Sequence, residues 1–212
     1  MNIAASRPFG FQRPNSAASS RPRKQKIVSE WIDFFSSGPS PIDELHFGSR
    51  TLKRLFESLA GQSQLQTLAV KWGDYEDLSV LQSMGRLSVL QLRGASSVRS
   101  VEPLAQLPRL KALLLESLRH THDLSAIGQA KSITALELGG DWKGLRTAHV
   151  DSIAFLRQMP RLKSLLLHTI IVDDLDYSPI LDLPNLEAVR VMKARGMAPP
   201  YEQLAALTSW KG

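Results

Sequence analysis

The chain has 212 residues, of which 43% are hydrophobic and 22% are charged. This balance is typical of a folded protein and excludes wholesale disorder. Because the sequence contains no cysteine, disulfide bonds and thiolate metal sites are excluded. No apolar run approaches the roughly 20 residues that cross a bilayer, and the N-terminus lacks the apolar stretch of a signal peptide. We therefore expect a cytoplasmic protein with no membrane partner.

The positive charge of the chain is concentrated at its N-terminus. Lysine and arginine number 26 against 20 acidic residues, a net charge of +6. The first 27 residues contain six of the basic residues and no acidic one, so the rest of the chain is balanced. A field that attracts polyanions is therefore confined to this tail. Its Ser- and Pro-rich composition predicts a disordered extension over residues 1–26; a nucleic-acid-binding arm, a membrane-surface tether and an organelle-targeting peptide are the alternatives.

From residue 42 onward one pattern recurs seven times. The segments are IDELHF, LQTLAV, LSVLQL, LKALLL, ITALEL, LKSLLL and LEAVRV, which begin at Ile42, Leu65, Leu87, Leu110, Ile133, Leu162 and Leu186. Each segment has an aliphatic or aromatic residue at its first, fourth and sixth places. The fourth and sixth places lie on one face of a strand, because successive strand side chains point to opposite sides.

A second apolar set, at helical spacing, follows most of these segments. Short side-chain acceptors precede these sets and predict helix N-caps at Asp77, Ser100, Asp123, Ser152 and Asp176. Prolines directly after the sets end them, at Pro108, Pro160 and Pro184. The predicted cycle is strand, turn, capped short helix, proline and next strand.

This cycle resembles the leucine-rich-repeat family, whose repeats span roughly 20–29 residues. The short period and the proline before the next strand are most similar to the internalin-type class of bacterial proteins. The resemblance implies an α/β fold: a right-handed leucine-rich-repeat solenoid with a parallel β-sheet on its concave face and short helices on its convex face. The family commonly carries Asn or Cys three places after the last strand leucine, whereas this chain has Arg50, Gly73, Ala95, Leu118, Asp141, Ile170 and Ala194. We therefore expect an irregular turn after each strand.

Both ends of the array are predicted to be covered. The segment IVSEWIDFF, residues 27–35, places its apolar residues near helical spacing. It predicts a short helix within an N-terminal cap over residues 27–41. About six to seven repeats then occupy residues 42–197, and residues 198–212 are expected to form a C-terminal cap helix. The leucine-rich-repeat domain thus extends over residues 27–212.

In such a solenoid the strand residues between the leucines point onto the concave face. Small residues occupy the third places, and apolar and charged residues alternate at the fifth and seventh. An apolar centre with charged neighbours is typical of a protein-binding surface. We predict binding residues at Lys71, Trp72, Gln91, Arg93, Leu114, Glu116, Glu137, Trp142, Leu166, His168, Arg190 and Met192. Coverage of some of them by the tail or by a repeat edge is the alternative.

The repeat at residues 133–161 is longer than the others, and its extra loop contains Trp142. Longer loops often carry binding determinants, although a tolerated surface insertion has the same appearance. An exposed tryptophan favours the binding interpretation.

Patterns typical of catalysis do not occur in the sequence. It has no GxSxG elbow, P-loop or GxGxxG motif, and His120 and His122 have no third metal ligand at a natural spacing. We therefore predict a monomeric, non-enzymatic module, without metal or other cofactor, that binds another protein through the concave sheet and the long loop. The alternative is a nucleic-acid-associated protein that uses the basic N-terminal tail.

Overall fold

The computed structural model describes residues 3–5, 21–140 and 147–211. The strands in chain order are β1 Ile3–Ala5, β2 Glu44–Thr51, β3 Thr67–Gly73, β4 Val89–Leu92, β5 Ala112–Glu116, β6 Ala135–Gly139, β7 Ala148–Val150, β8 Ser164–His168, β9 Ile170–Val172 and β10 Ala188–Val191. Seven of them form one parallel sheet in the order β2-β3-β4-β5-β6-β8-β10. Each of these seven begins at the third place of a predicted segment, which confirms the repeat register.

Both edges of this sheet are paired. At one edge β1 runs antiparallel to β2, with Ile3 opposite Phe47. At the other edge the backbone of Val189 receives a hydrogen bond from Lys211 at 3.0 Å and donates one to Ser209 at 2.9 Å. Pairing of this kind shortens the free strand edges that would otherwise recruit other chains. A second, two-stranded parallel sheet of β7 and β9 lies beside the main one.

The convex side consists of 3₁₀ helices: η1 Ser79–Ser83, η2 Glu102–Gln106, η3 Ser125–Gln129, η4 Ala154–Gln158 and η5 Ser178–Ile180. Each predicted capping side chain accepts a hydrogen bond at 2.8–3.1 Å from the backbone N–H two residues later. The predicted acceptors are confirmed, but each lies one residue before the N-cap, as Asp77 precedes Leu78, so these side chains close capping turns that lead into the 3₁₀ helices. The helices are 3₁₀ turns of three to five residues, because a short repeat leaves room for only one tight turn between strands.

The core lies between the sheet and the 3₁₀ helices. The fourth- and sixth-place residues of all seven strands are at most 3% exposed. Apolar residues of the 3₁₀ turns, such as Leu81 and Ile127, pack against them and are fully buried. One repeat cannot bury its apolar face alone, so the stacked repeats share a single continuous core.

Three α-helices complete the structure: α1 Arg21–Ser36 and α3 Tyr201–Ala205 lie outside the repeats, and α2 Lys53–Glu57 lies between β2 and β3 within the first repeat. Helix α1 begins six residues before the predicted N-terminal cap, inside the stretch expected to be disordered. Pro22 does not interrupt it, because a proline in the first helical turn lacks an N–H that would have no partner there. Among the described residues, no helix combines the length and hydropathy that a membrane span requires.

A buried glutamine joins the N-terminal cap to the first repeats. Gln62 is 1% exposed, and its amide nitrogen donates to the carbonyls of Phe35 and Gly38, both at 2.8 Å. Its amide oxygen accepts from the backbone N–H and the hydroxyl of Ser40, at 2.9 and 2.7 Å. All four hydrogen-bonding positions of the amide are therefore used to hold the end of α1 against the array.

Candidate functional site

The concave face is formed by the third, fifth and seventh places of the seven parallel strands. Most of its third places hold small residues such as Ala112 and Ala135, so they form a floor without obstructing it. A shallow depression of about 210 Å³ lies over the middle strands, lined in part by Gln91, Leu114 and Leu166. The surface is thus open above the middle strands and bordered by larger side chains.

Trp72 is at the eighth place of its segment, one residue beyond the concave rows, at the rim of this face near its N-terminal end. Its side chain is 46% exposed, and the guanidinium of Arg50 on the neighbouring strand lies 5.8 Å from the ring centroid. The backbone of Gly94 lies so close beneath Trp72 that a Cβ at position 94 would be 2.5 Å from that of Trp72. The Cα and Cβ of Trp72 are therefore closely packed against Gly94, while its ring contacts Arg50 and is partly exposed to solvent. Adjacent Lys71 is also exposed.

The C-terminal end of the face presents a second exposed apolar group. Met192 is 49% exposed, and its sulfur accepts a hydrogen bond from the backbone N–H of Thr169 at 2.8 Å. Arg190 beside it is exposed, and Leu166 on the adjacent strand is half-buried. The predicted accessibility of these residues agrees with the structure.

Three predicted surface residues are instead buried: Leu114, Glu116 and His168 are 7%, 6% and 2% exposed. Leu114 lies in register between Gln91 and Glu137, whose longer side chains flank it. The two polar residues contact each other and their neighbours across the sheet. The expectation that they are exposed was wrong, because side chains from neighbouring strands pack around them.

Glu116, Glu137 and His168 form what we call the acid–histidine cluster. The imidazole Nε2 of His168 lies 3.2 Å from Glu137 Oε1 and 3.9 Å from Glu116 Oε1. Arg93 borders the cluster, where its guanidinium donates to Glu116 Oε1 at 3.0 Å. Glu116, Glu137 and His168 lie on the neighbouring strands β5, β6 and β8, and Arg93 directly follows β4, so the sheet sets the separations of these side chains.

The absence of a side chain at Gly139 allows this cluster to form. Glu116, Gly139 and His168 are register partners across β5, β6 and β8. The ring of His168 occupies the space beside Gly139 where a Cβ would collide with it. The imidazole thereby crosses the middle strand and reaches toward Glu116.

The environment of His168 favours its neutral form. Burial lowers the pKa of His168 below its usual value, and nearby Arg93 lowers it further, while Glu137 acts in the opposite direction. Its other nitrogen, Nδ1, lies 3.0 Å from the hydroxyl of Thr169, which accepts a hydrogen bond from the Gly140 N–H at 3.1 Å. Both ring nitrogens therefore have polar neighbours, and the hydroxyl can serve Nδ1 as either donor or acceptor.

Trp142, the predicted loop residue, lies outside the described residues. The strand that follows the loop carries His149, whose Nδ1 lies 2.7 Å from Asp173 Oδ1. Close by, His122, Asp151 and Asp173 place potential ligand atoms within 4.8 Å of one another, but all three are exposed. The acid–histidine cluster meets the same criterion and is largely buried.

Neither of these groupings was predicted from the sequence. His122 was considered as a metal ligand only with residues nearby in the chain, whereas Asp151 and Asp173 come from later repeats. Glu116, Glu137 and His168 were assigned to the concave face as separate partner contacts. The register of the segments, with a glycine between Glu116 and His168 in the same row, was the available signal.

No described protein family matches this sequence, and no curated protein matches it either. Among solved structures, internalin C2 from Listeria monocytogenes is similar, with 18% identity and a TM-score of 0.56 over 77% of this chain and 72% of that one. Internalin F from the same organism has 14% identity and a TM-score of 0.45, over 79% of this chain and 60% of that one. The seven parallel strands with their 3₁₀ turns, together with the likeness to internalin C2, identify the fold as a leucine-rich-repeat solenoid.

Proposed function

We propose that this protein is a non-enzymatic binding module that holds another protein on its concave face. The observation that carries the proposal is Trp72, a large apolar side chain that contacts Arg50 at the rim of this face and is left half-exposed. Tryptophan and arginine are common anchors of protein interfaces, and Trp72 lies beside Arg50. Stacked repeats offer extended concave surfaces of the kind that repeat proteins use for binding.

The charges of the face indicate what the partner presents. Lys71 and Arg190 are exposed, and neither forms an ion pair within the described part of the chain. They lie near Trp72 and Met192, the exposed apolar groups at the two ends of the face. We infer a partner surface with apolar groups bordered by carboxylates, since complementary charge sets orientation and association rate.

We also include the long loop of the 133–161 repeat in the proposal. It connects β6, which carries Glu137 on the concave face, to β7 in the small second sheet. Loops on a rigid scaffold are frequent carriers of binding residues. We therefore include Trp142 among the residues to be tested.

Affinity capture from native lysate tests the proposal when matched variants are used as bait. The concave bait carries Lys71→Glu with Trp72→Ala, and the control bait carries Leu181→Ala, which truncates a 39%-exposed apolar side chain on the convex side. Proteins retained by the wild type and the control but lost by the concave bait are the expected partners. Equal capture by all three baits would reject the concave face. Arg93→Glu is unsuitable because it would place an acid against the buried Glu116.

Nucleic-acid binding through the basic N-terminal segment is the second candidate. The exposed residues Arg23, Lys24 and Lys26 lie in the first turns of α1, where no acidic residue is present. Cations at a helix N-terminus oppose the helix dipole, so this placement favours a role outside folding. If it binds nucleic acid, charge reversal of these three residues should abolish a salt-sensitive complex, while protein capture by the concave face continues.

A further inference from the structure

We propose that Glu116, Glu137 and His168 form a binding site for a divalent transition-metal ion, represented by Zn²⁺. The three potential ligand atoms lie within 4.8 Å of one another. They come from β5, β6 and β8 and meet on the concave face beside Gly139. The proposal does not depend on the protein partner, because it concerns the isolated chain.

The separations suit a single ion. Bonds of about 2.0–2.2 Å from zinc to nitrogen and oxygen place neighbouring ligands about 3–4 Å apart around a tetrahedral ion. His168 Nε2 is 3.2 Å from Glu137 Oε1 and 3.9 Å from Glu116 Oε1. The ligand atoms therefore need only small side-chain movements, with no shift of the strands.

The surroundings of His168 resemble the outer shell of a metal site. A ligating histidine usually uses its second nitrogen in a hydrogen bond that fixes the ring. Here Nδ1 faces the hydroxyl of Thr169 at 3.0 Å, and the Gly140 N–H donates to that hydroxyl. When Nε2 donates to Glu137, the hydroxyl donates to Nδ1; when Nε2 binds an ion, Nδ1–H donates to the hydroxyl. The network thus accommodates both tautomers of the ring.

The charge and ligand types also favour a transition-metal ion. Two carboxylates, one guanidinium and a neutral imidazole leave the group formed by the cluster and Arg93 with net negative charge. Arg93 binds Glu116 Oε1, yet a carboxylate has about four acceptor positions, so it can bond the arginine and a metal together. An imidazole nitrogen among carboxylate oxygens suits zinc, iron or manganese more than the all-oxygen sites of calcium and magnesium.

Titration of the full chain with Zn²⁺ by isothermal calorimetry, with any histidine tag removed, tests the site. We expect binding of one ion and a rise in melting temperature, since an ion that binds the native state stabilises it. Glu137→Gln and His168→Gln should each weaken binding at least tenfold. Glu137 is only partly buried, so this variant remains informative if His168→Gln does not fold.

Two further variants separate a built site from loose carboxylates. Gly139→Ala retains all three ligands but places a Cβ where the His168 ring lies, so we expect it to weaken Zn²⁺ binding. Gly85→Ala is its control, because a Cβ there meets nothing within 4 Å. Thr169→Val should weaken binding by about 10–100-fold, as expected for outer-shell partners, and Thr169→Ser should restore it.

The alternative location is the exposed group of His122, Asp151 and Asp173. His122→Gln should leave the binding of the proposed ion unchanged. The proposal is overturned if the wild type binds no Zn²⁺, if Glu137→Gln binds as tightly as the wild type, or if His122→Gln alone abolishes binding.

Discussion

The core-facing and concave faces of the same seven strands differ in how regularly their side chains are buried. On the inner face every fourth- and sixth-place residue is at most 3% exposed, and one rung resembles the next. On the concave face the exposure of neighbouring seventh-place residues varies from 2% at His168 to 49% at Met192. The inner face satisfies one packing requirement seven times, whereas each rung of the concave face has its own chemistry. We therefore expect the functional residues to be on the concave face, where the side chains differ from one repeat to the next.

Two adjacent leucines on β8 should show the largest difference in stability between the two faces. Leu165 points into the core and is 1% exposed, whereas Leu166 points onto the concave face and is half-buried. We expect Leu165→Ala to reduce the free energy of unfolding by about 3 kcal/mol, through lost transfer energy and a residual cavity. Leu166→Ala should cost about 1 kcal/mol, because less of its apolar surface is removed from water.

Chemical denaturation of both variants measures this difference. Equal losses would mean that the concave leucine is as deeply packed as the core leucine, and the distinction between the faces would not hold at β8.

The convex turns should share the regularity of the inner face. Asp123 Oδ1 accepts the Ser125 N–H at 2.8 Å in one of five equivalent capping turns. We expect Asp123→Ala to cost about 1 kcal/mol of stability, and Asp123→Asn much less because it retains an acceptor. If Asp123→Ala has no effect, the repeated cap contributes nothing to the fold.

The same cap predicts a dependence on pH. Hydrogen bonds from Ser125 lower the pKa of Asp123 below its ordinary value of 3.8. The charged cap therefore stabilises the fold fully above that value, and its contribution disappears as the pH falls through the lower pKa of the folded state. The stability difference between the wild type and Asp123→Asn should thus change below pH 4, as followed by thermal unfolding, and stay constant near neutrality.

The smallest expected effect on stability is at Trp72. Its half-exposed ring contributes an arginine contact and little core packing. Trp72→Ala should change the free energy of unfolding by about 0.5 kcal/mol or less. A loss as large as that of Leu165→Ala, measured in the same denaturation series, would make Trp72 a structural residue and remove the main support for the binding surface.

The regular parts of this fold could be predicted from the sequence, because they depend on contacts that each repeat makes in the same way. The strand register, the inner leucines and the capping acceptors such as Asp77 follow from periodicity and local hydrogen bonding. The start of α1 could not be placed, since Pro22 reads as a breaker until it is known to lie in a first turn.

For the concave face, the sequence predicts which residues lie on it but not which of them are buried. Periodicity assigns Glu116 and His168 to this face, but their burial depends on Arg93, Glu137 and the empty position at Gly139 in other strands. Such contacts arise between particular neighbours across the sheet. They are set by side-chain length and direction, which the repeat pattern does not specify.

Site-specific photo-crosslinking in the native cell tests the central claim most directly. A benzophenone side chain would replace Met192 on the concave face or Trp72 at its rim, and Leu181 on the convex side, three positions of similar exposure. We predict that the concave positions yield the same crosslinked protein and that position 181 does not. A partner crosslinked from position 181, with none from 72 or 192, would contradict binding by the concave face.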